Sequence, residues 1–308
     1  MPLHPFLQTM VDKAAALPPM HTVPLERLRA TDVARFTAGV PRVELPSVEQ
    51  RTMPGPSGPI KLRIYKPSAE TNLPVVVFFH GSGFILCSLD THDLICRQLC
   101  KASGAIIVSV DYRLAPEHKF PAASDDCLAA TRWVGEHAKA FGGDPSRIAL
   151  AGDSAGGNLA AVTALRVRDQ GGPALRGQLL VYPVTDHPSV PKPSYKECGE
   201  GLGLTDVSMR WFWDLYLADK SDLTHSYASP LRAESLHGLP PAYVITAQYD
   251  VLRDEGELYG KRLAEHGVET KIERFSDMNH GFIFWVGLID PATEAVMKSA
   301  AWLREKLA

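Results

Sequence analysis

The sequence predicts an α/β chain built on one doubly wound, mostly parallel sheet of about eight strands flanked by helices. Short, continuous apolar runs recur from residue 75 onward, at 75–79, 105–110, 147–151, 178–181, 242–247 and 270–275. Runs of this kind mark strands buried on both faces of a parallel sheet. Helical periodicity fills most of the intervals, at 90–103, 122–141, 155–169 and 255–266, with 291–307 closing the chain. Alternating strand and helix implies right-handed crossovers within one sheet. The pentapeptide Gly152-Asp153-Ser154-Ala155-Gly156 directly follows one apolar run and opens the next helix, the strand–turn–helix context that gives G-x-S-x-G its meaning.

Ahead of the parallel part, Leu7, Met10, Val11 and Ala14 stand at helical spacing within 4–17, and Pro18-Pro19 end the pattern. A second helix begins at Pro24 and carries Leu25, Leu28, Val33 and Phe36. Residues 43–52 and 60–65 alternate apolar with polar around the turn-rich 54–59, which predicts an antiparallel hairpin. Between Val181 and Ala242 lie about sixty residues, too many for a strand-to-helix connection, so this stretch is an insertion with its own structure. It includes a helix at 206–217 crowded with Trp211, Phe212, Trp213 and Tyr216. That stripe fits an ordinary core helix as well as a ligand-facing lid. The whole, residues 1–308, reads as a single domain whose cap comprises about 1–40 and about 186–236.

Composition narrows the partners. Thirty-two basic against thirty-five acidic side chains give a net charge of −3, and the pI is near 6.4. This balance favours a small neutral ligand over nucleic acid or an anionic membrane surface. Five cysteines without a C-x-x-C pair match neither a disulfide framework nor a zinc site, so a reducing cytoplasm is expected. Residues 1–20 lack the charged and apolar regions of a signal peptide, and no stretch reaches membrane-spanning length.

The candidate chemistry clusters at strand C-termini, the edge where ligands of open α/β sheets gather. Ser154 sits at the sharp turn, and the N–H groups opening the following helix favour negative charge beside it. His80-Gly81-Ser82-Gly83-Phe84 follows the first parallel strand and could turn consecutive N–H groups toward a developing oxyanion, with Ala155 as a further donor. A positive φ at Ser82 would cost energy there. A nucleophilic serine needs a base, and the base an orienting carboxylate. Among eleven histidines, His280 follows the last strand on a loop able to reach back over the sheet. Asp250 follows the strand before it; as an N-cap its role could equally be filled by Asp254. The chain order Ser154, Asp250, His280 is that of the α/β-hydrolase arrangement.

These residues carry a family resemblance. From about Leu73 to the C-terminus the sequence resembles the hormone-sensitive-lipase-like carboxylesterases, a branch of the α/β-hydrolase fold. The marks are His80-Gly81-Ser82-Gly83-Phe84 for the family's His-Gly-Gly-Gly box, residues 111–118 (Asp-Tyr-Arg-Leu-Ala-Pro-Glu-His), Gly152-Asp153-Ser154-Ala155-Gly156-Gly157, Asp250 with Arg253-Asp254-Glu255-Gly256, and His280-Gly281-Phe282. The resemblance implies an α/β-hydrolase with a helical cap, with Ser154 as nucleophile, His280 as base and Asp250 as orienting acid. It also implies an oxyanion hole from the N–H groups of Ser82, Gly83 and Ala155. Phe84, Trp211 and Trp213 are the candidate substrate-binding side chains. Ser82 departs from the middle glycine of the box, and Cys87 stands where a small glycine is expected.

The expected activity is hydrolysis of short- to medium-chain carboxylic esters through an acyl-enzyme, with no metal or organic cofactor. Lactone or aryl-ester hydrolysis would use the same machinery. A non-enzymatic rival is a small-molecule receptor on the same fold, as in the gibberellin receptor of plants, where the catalytic histidine is lost; here His280 is present. Homodimer formation is left open by the sequence.

Overall fold

The computed structural model describes residues 1–37 and 42–308, with side chains apart from those of 32–41. Val33 and Phe36, read above as apolar positions of the second helix, therefore lie outside the described side chains. Two helices, α1 (Pro5–Ala15) and α2 (Leu25–Thr37), precede the sheet. The hairpin β1 (Ser47–Gly55) and β2 (Gly58–Lys66) comes next, followed by β3 (Leu73–Phe79), α3 (Asp93–Ser103), β4 (Ile106–Asp111) and α4 (Ala122–His137). Then come β5 (Gly143–Asp153), α5 (Ala155–Gln170) and β6 (Leu175–Val181). The insertion holds α6 (Pro193–Cys198) and α7 (Asp206–Tyr216), and β7 (Ala242–Tyr249), α8 (Arg253–Glu265), β8 (Thr270–Asn279) and α9 (Asp290–Lys306) complete the chain.

The eight strands form one sheet in the order β1-β2-β4-β3-β5-β6-β7-β8. Among the described residues, only the β1–β2 and β2–β4 pairs are antiparallel. The expected hairpin is therefore present, but displaced and tighter than the sequence suggested. Pairing runs through Met53 opposite Ile60 to Gly55 opposite Gly58, leaving two residues in the turn. Met53 and Ile60 are both buried, which extends the ladder past the predicted stop, and Pro54 is tolerated because β1 is an edge strand with no ladder partner on its outer side.

Two apolar clusters cover the two faces of the sheet. One joins α4, α5 and α8 with the insertion; the other joins α1, α3 and α9. Chain order reverses between β3 and β5, so the crevice above their C-terminal ends is the topological switch point. Phe79 pairs with Gly152 in that ladder, which sets the loop after β3 beside the turn after β5. Farther along, the last registered pair of β7 and β8 is Tyr249 with Asn279. Strand β8 runs four residues beyond its predicted end, and the next residue on each strand, Asp250 and His280, leaves the sheet side by side.

Candidate active site

The turn after β5 is as tight as the glycines require. A Cβ on Gly156 would fall 2.0 Å from the Phe79 carbonyl oxygen, and one on Gly152 would fall 2.2 Å from the Gly156 oxygen. Ser154 takes φ 55° and ψ −120°, a conformation costing a non-glycine residue about 1–3 kcal/mol. Its N–H donates to Val181 O at 2.8 Å, and its own carbonyl accepts from Asn158 N at 3.0 Å and Val184 N at 3.2 Å. The Asn158 amide donates in turn to Val184 O and Ala228 O, tying both ends of the insertion to α5. The strained residue is thus fixed by strand, helix and insertion together.

Ser154 Oγ lies 2.9 Å from His280 Nε2, and His280 Nδ1 lies 2.7 Å from Asp250 Oδ2. Asp250 is fully buried, and its second oxygen accepts from Leu252 N at 2.9 Å. An ionised carboxylate only accepts, so Nδ1 carries the proton toward Asp250 and Nε2 is left to accept from the serine hydroxyl. The imidazole lies against the Tyr182 ring in a tilted arrangement, ring centroids 4.6 Å apart. Asp254, the other carboxylate that sequence spacing allowed, points elsewhere: it accepts from Ser194 N at 2.8 Å and pairs with Arg253 at 2.8 Å. Burial alone would raise its carboxyl, but Arg253 and the Ser194 N–H outweigh that and hold it below the usual range.

The loop after β3 is unusual in its backbone. Ser82, Gly83, Phe84 and Cys87 have φ of 83°, 64°, 66° and 69°. Three of the four are not glycine, and glycine is what such angles favour, which accounts for the expectation of glycine at 82 and 87. Among the described residues, no backbone acceptor within the chain takes the N–H of Ser82, Gly83 or Ala155. Asp153, the variable position inside the pentapeptide, anchors the loop's base: its Oδ1 accepts from Gly81 N at 3.0 Å and lies 3.0 Å from His92 Nε2. Thr91 Oγ1 meets the other ring nitrogen of His92 at 2.9 Å. His80, wholly buried, is pushed down to about 3 by burial and by His92, so it stays neutral beneath the loop.

The three proposed substrate contacts are placed differently from one another. Phe84 and Trp213 are each 1% exposed and sit inside the core cluster: Phe84 stacks on Tyr216 at 3.8 Å, and Trp213 packs edge-on to His187. Trp211 is half-buried beside Phe212. The ring that faces the loop is Phe212, which would lie 2.4 Å from a Cβ on Gly83. Helix phase explains this, because Met209, Phe212, Trp213 and Tyr216 share the buried face and Trp211 does not. Sequence reasoning does not single out Asp153 or His92, of which only Asp153 carries a signal, its place within the motif; Phe212 stands in the aromatic stripe noted above but not among the candidate substrate contacts.

A family model described as the alpha/beta hydrolase fold matches residues 76–284. Esterase LipI of Mycobacterium tuberculosis is 47% identical over 255 residues, covering 81% of this chain and 79% of that protein. The chain belongs to the hormone-sensitive-lipase-like branch of the α/β-hydrolase family. Ethyl acetate hydrolase of Pseudomonas putida is a more distant relative, 34% identical, covering 80% of this chain and 79% of its own. Among solved structures, a hyperthermophilic esterase from the archaeon Pyrobaculum calidifontis superimposes with a TM-score of 0.94 at 42% identity, covering 99% of both chains. Among the described residues, no helix is long and apolar enough to cross a membrane.

Proposed function

We propose that this protein is a serine carboxylesterase hydrolysing short- to medium-chain carboxylic esters through an acyl-enzyme. The observation that carries the reading is the unbroken chain of hydrogen bonds from Ser154 Oγ through His280 to Asp250, set on the elbow beside a loop with N–H groups to spare. Family relatives named as esterases support the reaction class.

In the proposed mechanism Ser154 Oγ attacks the acyl carbon as His280 Nε2 takes its proton, and Asp250 stabilises the resulting imidazolium. The carbonyl oxygen becomes an oxyanion received by the N–H groups of Ser82, Gly83 and Ala155. Collapse of the tetrahedral intermediate breaks the ester C–O bond, and the imidazolium returns its proton to the leaving alcohol. Water, deprotonated by His280, then attacks the acyl-serine and releases the acid.

Residues 1–37 and the insertion are proposed to form a cap that limits acyl length. Two contacts support this: α7 packs against the turn Met20–Thr22, and the Phe212 ring closes on Gly83. Each added methylene gains at most about 0.8 kcal/mol until the chain meets the wall, so turnover peaks at short acyl groups. A series of p-nitrophenyl esters from acetate to palmitate tests the proposal. The highest kcat/KM is expected for butanoate or hexanoate; a maximum at palmitate, or efficient cleavage of long-chain triglyceride emulsions, would refute the size limit.

A further inference from the structure

The strained loop after β3 is anchored at its base by Asp153, but its tip is held from outside the sheet. Arg29, on α2, donates from Nε to Ile85 O at 2.9 Å and from one terminal nitrogen to Ala115 O at 2.9 Å. The same guanidinium forks onto Glu117, with contacts of 2.8 and 3.0 Å. Ala115 closes the knot from its other end, its N–H donating to Phe84 O at 3.0 Å. Inside the loop, Ser82 O accepts from both Ile85 N and Leu86 N. The peptide planes of 82–86 are therefore linked in series, and the guanidinium grips the last carbonyl and the strand of chain that grips the one before it.

Left-handed conformations at Ser82, Phe84 and Cys87 persist only where surrounding contacts over-determine them. Charge-assisted hydrogen bonds from a planar fork are suited to this, because they fix direction as well as distance. Glu117 holds the fork in plane, and being half exposed itself it contributes orientation more than energy. Arg29 also links α2 to the loop of the proposed oxyanion hole.

We infer that Arg29 is a positioning residue for the oxyanion hole, clamping the loop 82–87 from α2 through Ile85 and Ala115. The inference rests on the reading of Ser82 and Gly83 as oxyanion donors. Donors displaced by a fraction of an ångström stabilise the transition state less while leaving ester binding almost unchanged.

The test uses the full-length protein and the variants Arg29→Met, which keeps an aliphatic stem, Arg29→Lys, which keeps charge without the fork, and Glu117→Ala. Arg29→Met is expected to lower kcat by about ten- to a hundredfold, by the same factor for p-nitrophenyl acetate and butanoate, with KM within about twofold. A trifluoromethyl ketone, whose hemiketal oxyanion reports on the hole, weakens by a similar factor, and the pH midpoint of kcat stays in place. Arg29→Lys recovers part of the loss, and Glu117→Ala shifts in the same direction by less. Hydrogen exchange of the amides at 82–87 accelerates in Arg29→Met while exchange in β5 and β6 does not. Wild-type kcat and ketone affinity in a folded Arg29→Met, a loss confined to KM, or unchanged exchange at 82–87 would each overturn the clamp. Hydrolysis persisting in Ser154→Ala would overturn the serine-esterase reading instead, and exchange, which needs no turnover, then decides the clamp alone.

Discussion

Gly83 and Phe212 meet so closely that any side chain at 83 would enter the aromatic ring, with the nearest ring carbon 2.4 Å from a Cβ. The insertion thus rests directly on the loop proposed to receive the oxyanion, and the pair joins α7 to the floor of the site. Gly83→Ala is expected to displace either the loop or α7 and to cut kcat by about a hundredfold or more, the scale of losing one oxyanion donor. Adding Phe212→Ala relieves the clash but not the φ of 64°, so the double variant recovers only part of the rate. Steady-state kinetics alongside circular dichroism check this; a fully active Gly83→Ala would contradict it.

The two neighbouring carboxylates separate cleanly. In Asp250→Asn the oxygen keeps the Leu252 N–H and the amide NH2 turns to His280, so Nδ1 must accept, and Nε2, now carrying the ring proton, cannot take one from Ser154. A loss of about three to four orders of magnitude in kcat is expected with the fold retained. Asp254→Asn weakens contacts to Ser194 and Arg253, costing about 1 kcal/mol in a urea titration while kcat changes little.

Glu255 contributes stability that is lost as pH rises from the acid range to about 8. It is buried in α8, accepts from Thr185 N at 2.8 Å and Asp186 N at 3.2 Å, and is pushed up to about 8 by burial, against the pull of those N–H groups. The folded protein holds it as the neutral acid, whereas in the unfolded chain it ionises near the ordinary value of about 4.3. Its contribution is therefore full below that value and is lost progressively as pH rises through about 8, with a slope no steeper than about 1.4 kcal/mol per pH unit. Glu255→Gln imitates the neutral acid. Urea midpoints measured from about pH 5 to about pH 9, which spans most of the fall and its end, should fall less steeply for the variant than for the wild type; parallel curves would contradict the assignment.

The sheet was legible because its signals are local: apolar runs of strand length, glycines where two backbones touch, and polar residues collected at strand ends. Helix α5 and the elbow follow from Gly152 and Gly156, whose contacts with Phe79 admit no side chain. The hairpin was misplaced because its turn composition, rich in proline and glycine, spans more residues than the two that turn, while Met53 and Ile60 pair across it. The choice between Asp250 and Asp254 depended on the register of β7 against β8, a relation between distant residues that no local pattern encodes. Arg29 was invisible for the same reason: its partners lie 56 to 88 residues away, and one arginine on an amphipathic helix looks like any solvated charge. Among the aromatic residues of α7, only helix phase against the rest of the fold distinguishes Phe212 over Gly83 from Trp213 in the core.

The central claim is that Ser154 is the nucleophile, and an organophosphonate ester probe followed by peptide mass mapping tests it most directly. The account predicts one label per chain, on Ser154, with labelling and hydrolysis both lost in a folded Ser154→Ala and labelling slowed by about a thousandfold in His280→Ala. A label on any other residue, or undiminished ester hydrolysis by Ser154→Ala, would contradict it.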